Sequence, residues 1–164
     1  KKFKKHEKLS RILKYIFLDI CSIDQKKYYI LGSYALRNNR KINNLDINVD
    51  KDEFMKLENA TKKGFGRLEF LNNQIRWFFD LTKIYNKLTK SREKDFSIEA
   101  FMKDKKVGYP NNNFSLSKLI KNNGLDRDQN KHQFLNFKYL LKWKKTMNRE
   151  KDQKDILLIK KLLE

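Results

Sequence analysis

Leu9, Ile12, Leu13, Ile16, Phe17 and Ile20 recur three and four apart, which predicts an amphipathic helix over roughly residues 7–22. Cys21 falls on the same apolar face, four after Phe17, so the spacing predicts a buried, inert thiol. The run YYIL at 28–31 predicts a short buried strand that stops at Gly32-Ser33, with a short helix starting at Tyr34–Leu36 and a polar loop over 38–44. Leu45, Ile47 and Val49 then alternate with Asp46, Asn48 and Asp50, the period-two pattern of a strand with one buried face. Asp50 followed by Glu53 has the form of a capping box, and Gly64 marks the end of the helix it would open. Two apolar runs around Asn72-Asn73 predict a β-hairpin, with Ile75, Trp77, Phe79 and Leu81 on one face and Arg76, Phe78 and Asp80 on the other. Beyond residue 82 the pattern predicts mostly helix: a short one from a Ser115 cap to Gly124, then helices near 131–147 and 151–163. The only proline, Pro110, and Asn111-Asn112-Asn113 predict a loop that divides a core (1–109) from a helical C-terminal tail (110–164) packed on it.

Composition sharpens this picture in two ways. A single cysteine excludes an internal disulfide or a thiolate metal cluster, and no apolar run approaches the ~20 residues of a membrane span. The basic start KKFKKHEKLS leads into the first amphipathic segment rather than a signal-peptide block, so an intracellular protein, cytoplasmic or nuclear, is expected, with no membrane partner. The net charge of +19 has two readings. It can serve a polyanion, RNA or DNA, through phosphate contacts. The alternative is solvated surface, since Lys, Asn and Ile are all abundant, as codon bias in an AT-rich genome would produce.

The candidate chemistry lies in ILGSYALRNNRKINNLDINVD, residues 30–50. Glycine permits close backbone approach, and the Gly32-Ser33 backbone and hydroxyl offer donors to a phosphate; a plain helix cap is the alternative for Ser33. Acids two apart on a strand share a face about 6.6 Å apart, close enough to flank divalent ions. Asp46 is such an acid, and Asp80 has the parity to supply a carboxylate from a neighbouring strand, within ~4–7 Å of Asp46. Asp80 among Trp77, Phe78 and Phe79 would need a partner for its charge. Arg37, Arg40 and Lys41 are phosphate contacts or simple loop charges. Asp126-Arg-Asp128-Gln-Asn130 begins like a calcium loop, but Lys131 and Phe137 stand where the turn glycine and the closing acid belong, so a turn and helix cap are expected. His6 and His132 lack metal-ligand spacing.

Leu31-Gly32-Ser33, Asp46-Ile47-Asn48-Val49 and Phe79-Asp80-Leu81, in that order with a hairpin between, resemble the signature of the DNA polymerase β-like nucleotidyltransferase superfamily over roughly residues 8–85. The resemblance implies an α+β fold: a nucleotidyltransferase-like core, with a short mixed sheet and a β-hairpin flanked by helices, plus C-terminal helices. It also implies transfer of a nucleoside monophosphate from an NTP, such as ATP, to an acceptor hydroxyl. Gly32, Ser33 and Arg37 would hold the triphosphate; Asp46 and Asp80 would be catalytic; Asp46, Asn48 and Asp80 would ligate Mg2+ or Mn2+. In the tail, Leu141-Lys-Trp-Lys144, Arg149-Glu-Lys-Asp152 and Asp155-Ile156 are similar to the helical tail of small antibiotic-modifying and abortive-infection nucleotidyltransferases. That similarity implies that Lys144 and Arg149 reach toward the nucleotide phosphates; a solvated helix pair with Asp152 as a cap is the alternative reading.

The departure is Asn48, which stands where the superfamily pattern has a carboxylate. An amide oxygen can coordinate magnesium but brings no charge. Three readings follow: one strongly bound metal, compensation by Asp50 or Glu69, or a weakened or inactive site that serves as a nucleotide- or nucleic-acid-binding or structural module.

Overall fold

The computed structural model describes residues 2–71, 74–102 and 114–164. The Asn72-Asn73 turn and the proposed boundary at Pro110–Asn113 lie outside the described residues. Within them the protein is mixed α and β, with six α-helices and one seven-stranded mixed sheet.

The first apolar stripe forms helix α1, Lys2–Lys14, and continues as a π-helical stretch, Tyr15–Ile20. The Cys21 N–H bonds five residues back to Ile16 O at 3.0 Å, a spacing that widens the helix before it ends. Cys21 is buried, and desolvation pushes its thiol up to about 11, so the expected inert cysteine is what the fold contains. Strands β1 (Tyr28–Leu31) and β2 (Asn44–Val49) run antiparallel, and a 3-10 turn, Gly32–Leu36, leaves the end of β1. Leu45, Ile47 and Val49 are buried, as the alternation predicts. Helix α2, Lys51–Lys62, is capped by Asp50, whose carboxylate accepts from the Glu53 N–H at 3.0 Å. The hairpin strands are β3 (Arg67–Leu71) and β4 (Gln74–Asp80), and Leu81 already belongs to the start of α3, Thr82–Thr89.

The mostly helical reading beyond residue 82 needs correction. Residues Ser97–Met102 form strand β5, which runs parallel to β2 and antiparallel to β4 and so lies between them. Two further strands, β6 (Leu125–Arg127) and β7 (Gln133–Leu135), form a hairpin, and β7 pairs parallel to β1. The sheet order is therefore β3-β4-β5-β2-β1-β7-β6. The tail helices are α4 (Leu116–Lys121, capped by Ser115 as expected), α5 (Phe137–Met147, capped by Asn136) and α6 (Gln153–Leu163). The helix expected near 131–147 thus begins later, because its first residues are consumed by β7. Among the described residues no helix is long and apolar enough to cross a membrane.

A buried polar cluster ties the β6–β7 hairpin to α1 and β1. Asp128 accepts from the Ser10 hydroxyl at 2.8 Å, the Tyr34 hydroxyl at 2.7 Å, and the Asn130 and His132 N–H groups at 3.0 Å. Asp128 builds the expected turn, whereas the helix that follows is capped by Asn136 and not by this segment. His132 bridges the Tyr28 hydroxyl at 2.7 Å and the Ser10 carbonyl at 2.8 Å. Nε2 must donate to that carbonyl, and in the neutral imidazole Nδ1 then accepts from the phenol. Burial lowers the His132 pKa from its ordinary value, against the opposing pull of Asp128. A depressed pKa means that the unfolded chain binds the extra proton. His132's contribution is therefore complete above about pH 6.5 and declines as pH falls below it. The expected result is an unfolding free energy that drops by up to ~1.4 kcal/mol per pH unit as pH falls below about 6.5 toward the lowered folded value. That slope should vanish in His132→Gln; an unchanged slope in denaturant titrations would refute the assignment.

Candidate functional site

Cross-strand partners share a face of the sheet, so the register fixes what stands together. Leu31, Asp46, Glu99 and Phe78 form one row across β1, β2, β5 and β4; Tyr29, Asn48, Phe101 and Arg76 form the next. Asn44, Ser97 and Asp80 form the row on the other side. Asp46, Glu99 and Asp80 consequently lie on one face, opposite the buried Ile47, Ile98, Ala100 and Trp77.

Asp46 and Asp80 share that face but are not on neighbouring strands, contrary to expectation. With β5 between them, two strand spacings and two residues separate their Cα atoms by roughly 12 Å, beyond the reach of a shared ion. Asp80 is also exposed and otherwise engaged: it accepts from the Thr82 N–H at 3.0 Å and the Thr82 hydroxyl at 2.6 Å. These hydrogen bonds hold its carboxyl below the usual range. The solvated end of β4, with Thr82 as partner, answers the need for a partner that the aromatic neighbours suggested.

The acid beside Asp46 is Glu99. Their Cα atoms are direct partners in a parallel pair, about 4.8 Å apart. Glu99 is ion-paired to Arg76, and Arg76 reaches on to Glu69, which Arg67 also holds at 2.8 Å. Burial raises the Glu69 carboxyl, but the two arginines outweigh it and keep it below its ordinary value. Glu69 is thus part of this charge ladder and Asp50 is a helix cap. Asp46 differs from them: it is half-buried and makes no hydrogen bond or ion pair among the described residues.

Gly32 explains why Asp46 sits so close to the turn. Its φ is +73°, and a Cβ placed there would stand 3.4 Å from Asp46 Oδ2. Only glycine takes that backbone conformation without strain, so the turn brings main chain against the carboxylate.

Asn48 is 2% exposed, and its amide donates to the Tyr29 hydroxyl at 2.9 Å, which in turn donates to the Phe114 carbonyl at 2.7 Å. The amide is an internal link from β2 through Tyr29 to Phe114.

Ser33, Arg40, Lys144 and Arg149 converge on two tail carboxylates. Arg40 grips Asp155 with both Nε and Nη2 at 2.7 Å, and Nη2 also donates to Ser33 Oγ at 2.5 Å. Ser33 donates to Asp155 Oδ2 at 3.4 Å. Lys144 is 4% exposed and lies between Asp155 at 3.0 Å and Asp152 at 3.4 Å. Arg149 holds Asp152 through Nε at 2.8 Å and Nη2 at 3.1 Å, and the Asp152 carboxylate caps the Arg149 N–H at 3.2 Å. Burial raises both carboxyls, but their cationic partners outweigh it and leave both lowered. The tail motif therefore meets the Gly-Ser turn, while the Lys144 ammonium itself faces aspartates.

Arg37 points elsewhere. It packs 4.4 Å over the Tyr34 ring and 4.8 Å over Phe134, donating to the Tyr34 carbonyl at 3.1 Å.

A divalent ion fits part of this arrangement. Magnesium is commonly held by one or two carboxylates together with substrate phosphates and water. Asp46 with Glu99 supplies that pair, Glu99 sharing its carboxylate with Arg76, while Asp80 is held by Thr82 and Asn48 gives its amide N–H to Tyr29. Among the described residues no cluster of three or more acidic, histidine or cysteine ligands occurs. Comparison with protein-family models, curated proteins and solved structures finds no match.

Sequence reasoning missed Glu99. Its signal was the alternation of Phe96, Ile98 and Ala100 against Ser97 and Glu99, which Phe101-Met102 then interrupts.

Proposed function

We propose that the protein binds an NTP at the Gly32-Ser33 turn and transfers its nucleoside monophosphate to an acceptor hydroxyl. The observation that carries the reading is the contact geometry at Asp46: a carboxylate with no protein partner, against a positive-φ glycine and beside Glu99. In this reading Asp46 and Glu99 hold one Mg2+ or Mn2+ ion, which would neutralise charge developing on the phosphoryl oxygens. The acceptor oxygen forms a bond to the α-phosphorus as the bond to pyrophosphate breaks. Its proton passes to solvent or to a carboxylate of the same face. The Ser33 hydroxyl is oriented by Arg40 and Asp155, and Lys144 keeps Asp155 in place, so the tail lysine acts as a positioning residue.

A second reading is favoured by Asp80, whose carboxylate is committed to Thr82. It is a nucleotide- or nucleic-acid-binding protein of the same architecture with little or no turnover. The test incubates the protein with each labelled NTP, magnesium or manganese, and a panel of RNA, DNA and small hydroxyl acceptors. Label appearing on an acceptor supports transfer. Binding without transfer supports the second reading, and neither binding nor transfer overturns both.

A further inference from the structure

A pocket of about 240 Å³ opens beside the Gly-Ser turn, between the start of α1 and the loop that follows the turn. Lys5, His6, Arg37, Arg40 and Lys41 line it, with Glu93 as the acid. Four permanent cations in one concave surface focus a positive potential far better than the same charges spread over a convex one. Their existing bonds divide them into wall and donors. Arg40 forms the wall: Nε and Nη2 face Asp155 and Ser33, and Nη1 donates to the Lys41 carbonyl at 2.7 Å. Lys41 reaches Glu93 at 2.8 Å from an exposed position, a pair worth little against a phosphate. Lys5 has no partner among the described residues. Arg37 is fixed by two rings and one carbonyl, which leaves N–H groups for an oxyanion and holds them at low entropic cost.

We infer that this pocket binds a backbone phosphate of a nucleic-acid strand, and that the strand is the acceptor brought to the Asp46 face. The role as acceptor rests on the transfer reading above; the binding does not. Phosphate could also arrive here as part of the NTP. The Arg40 side chain, however, separates the pocket from Ser33, so a triphosphate seated on the turn lies on the other side of that wall. A polymer carries a phosphate at every residue and can occupy both sides.

The experiment measures anisotropy of a fluorescein-labelled single-stranded oligouridylate across a salt series. The wild type is compared with Lys5→Gln/Arg37→Gln/Lys41→Gln and with Lys154→Gln/Lys160→Gln/Lys161→Gln on the exposed side of α6. Loss of the one phosphate contact should reduce the slope of log K against log salt by about 0.7. The pocket variant is expected to show that loss, and the α6 variant to show well under half of it. Because Arg37 packs on aromatic rings, Lys5→Gln/Lys41→Gln serves as the milder variant, with a slope loss of at most about 0.7 and lower affinity at every salt concentration. Magnesium–ATP affinity, measured by calorimetry, should be the same in Lys5→Gln/Lys41→Gln and the wild type. Equal slope losses in pocket and α6 variants, or loss of ATP binding without loss of oligonucleotide binding, would overturn the inference. Pocket-dependent oligonucleotide binding by a protein that takes no ATP supports the pocket and removes the transfer reading.

Discussion

Asp155→Ala is expected to lower the unfolding free energy by about 3–5 kcal/mol, the usual consequence of removing one member of a buried ion pair. The magnitude follows from what the change leaves behind. Asp155 is 5% exposed, and its loss strands both donors of the Arg40 fork. Lys144, at 4% exposure, keeps only the longer contact to Asp152. For a chain of this size that corresponds to a fall in Tm of roughly 6–20 °C. Asp155→Asn retains the shape and one acceptor for Arg40, so its loss should be smaller. The acid limb provides a second readout. A carboxyl held below its unfolded value contributes stability that is full above about pH 4 and disappears as pH falls through the folded value. Removing Asp155 should therefore make acid unfolding less steep below about pH 4. Burial also implies that added salt will not reproduce the wild-type Tm. A Tm within about 1 °C of wild type would mean that α6 is held to the turn by something other than this carboxylate.

Such a network was only half visible in the sequence. Lys144, Arg149, Asp152 and Asp155 stand out by spacing, and Ser33 by its place after Gly32, but no periodicity says that Arg40 joins the two groups across 115 positions. Elements read from local pattern alone were the secure ones. β1 and β2 have strong alternation or apolar runs, and α2 has its own cap at Asp50. β5 failed because its partners are β2 and β4, distant in sequence, and because Ala100-Phe101-Met102 blurs the alternation. β7 failed because three residues, Gln133–Leu135, are too short to register a period and lead directly into a helix. Missing β5 then misplaced the chemistry: without it Asp80 looks like the neighbour of Asp46, and Glu99 is hidden in an apparent helix. The Asn48 question had the same origin. A strand pattern shows that its side chain faces the acids, yet not that Tyr29 stands across from it and takes its hydrogen bond.

The largest effect on activity is expected at Asp46. Asp46→Asn keeps the shape of the side chain and removes the charge that would hold the ion, so transfer should fall at least about a thousandfold, or ~4 kcal/mol in the barrier. Stability should behave in the opposite way. A half-buried carboxylate with no protein partner contributes nothing to folding that an amide would lose, so Tm should stay within about 2 °C of wild type or rise. Glu99→Gln should differ, because it also disturbs the Arg76 pair and so lowers both transfer and Tm. Asn48→Asp separates the ion from the strand in a third way. It places a carboxylate in a 2% exposed position against the Tyr29 hydroxyl, which should destabilise the metal-free protein by about 1–3 kcal/mol. If this face holds a divalent ion, magnesium or manganese should restore part of that loss, in proportion to the logarithm of its concentration. Wild-type Tm should respond far less over the same range. An Asn48→Asp protein whose Tm ignores both metals, together with an Asp46→Asn protein that transfers as well as wild type, would leave the acids of β2 as a solvated strand face.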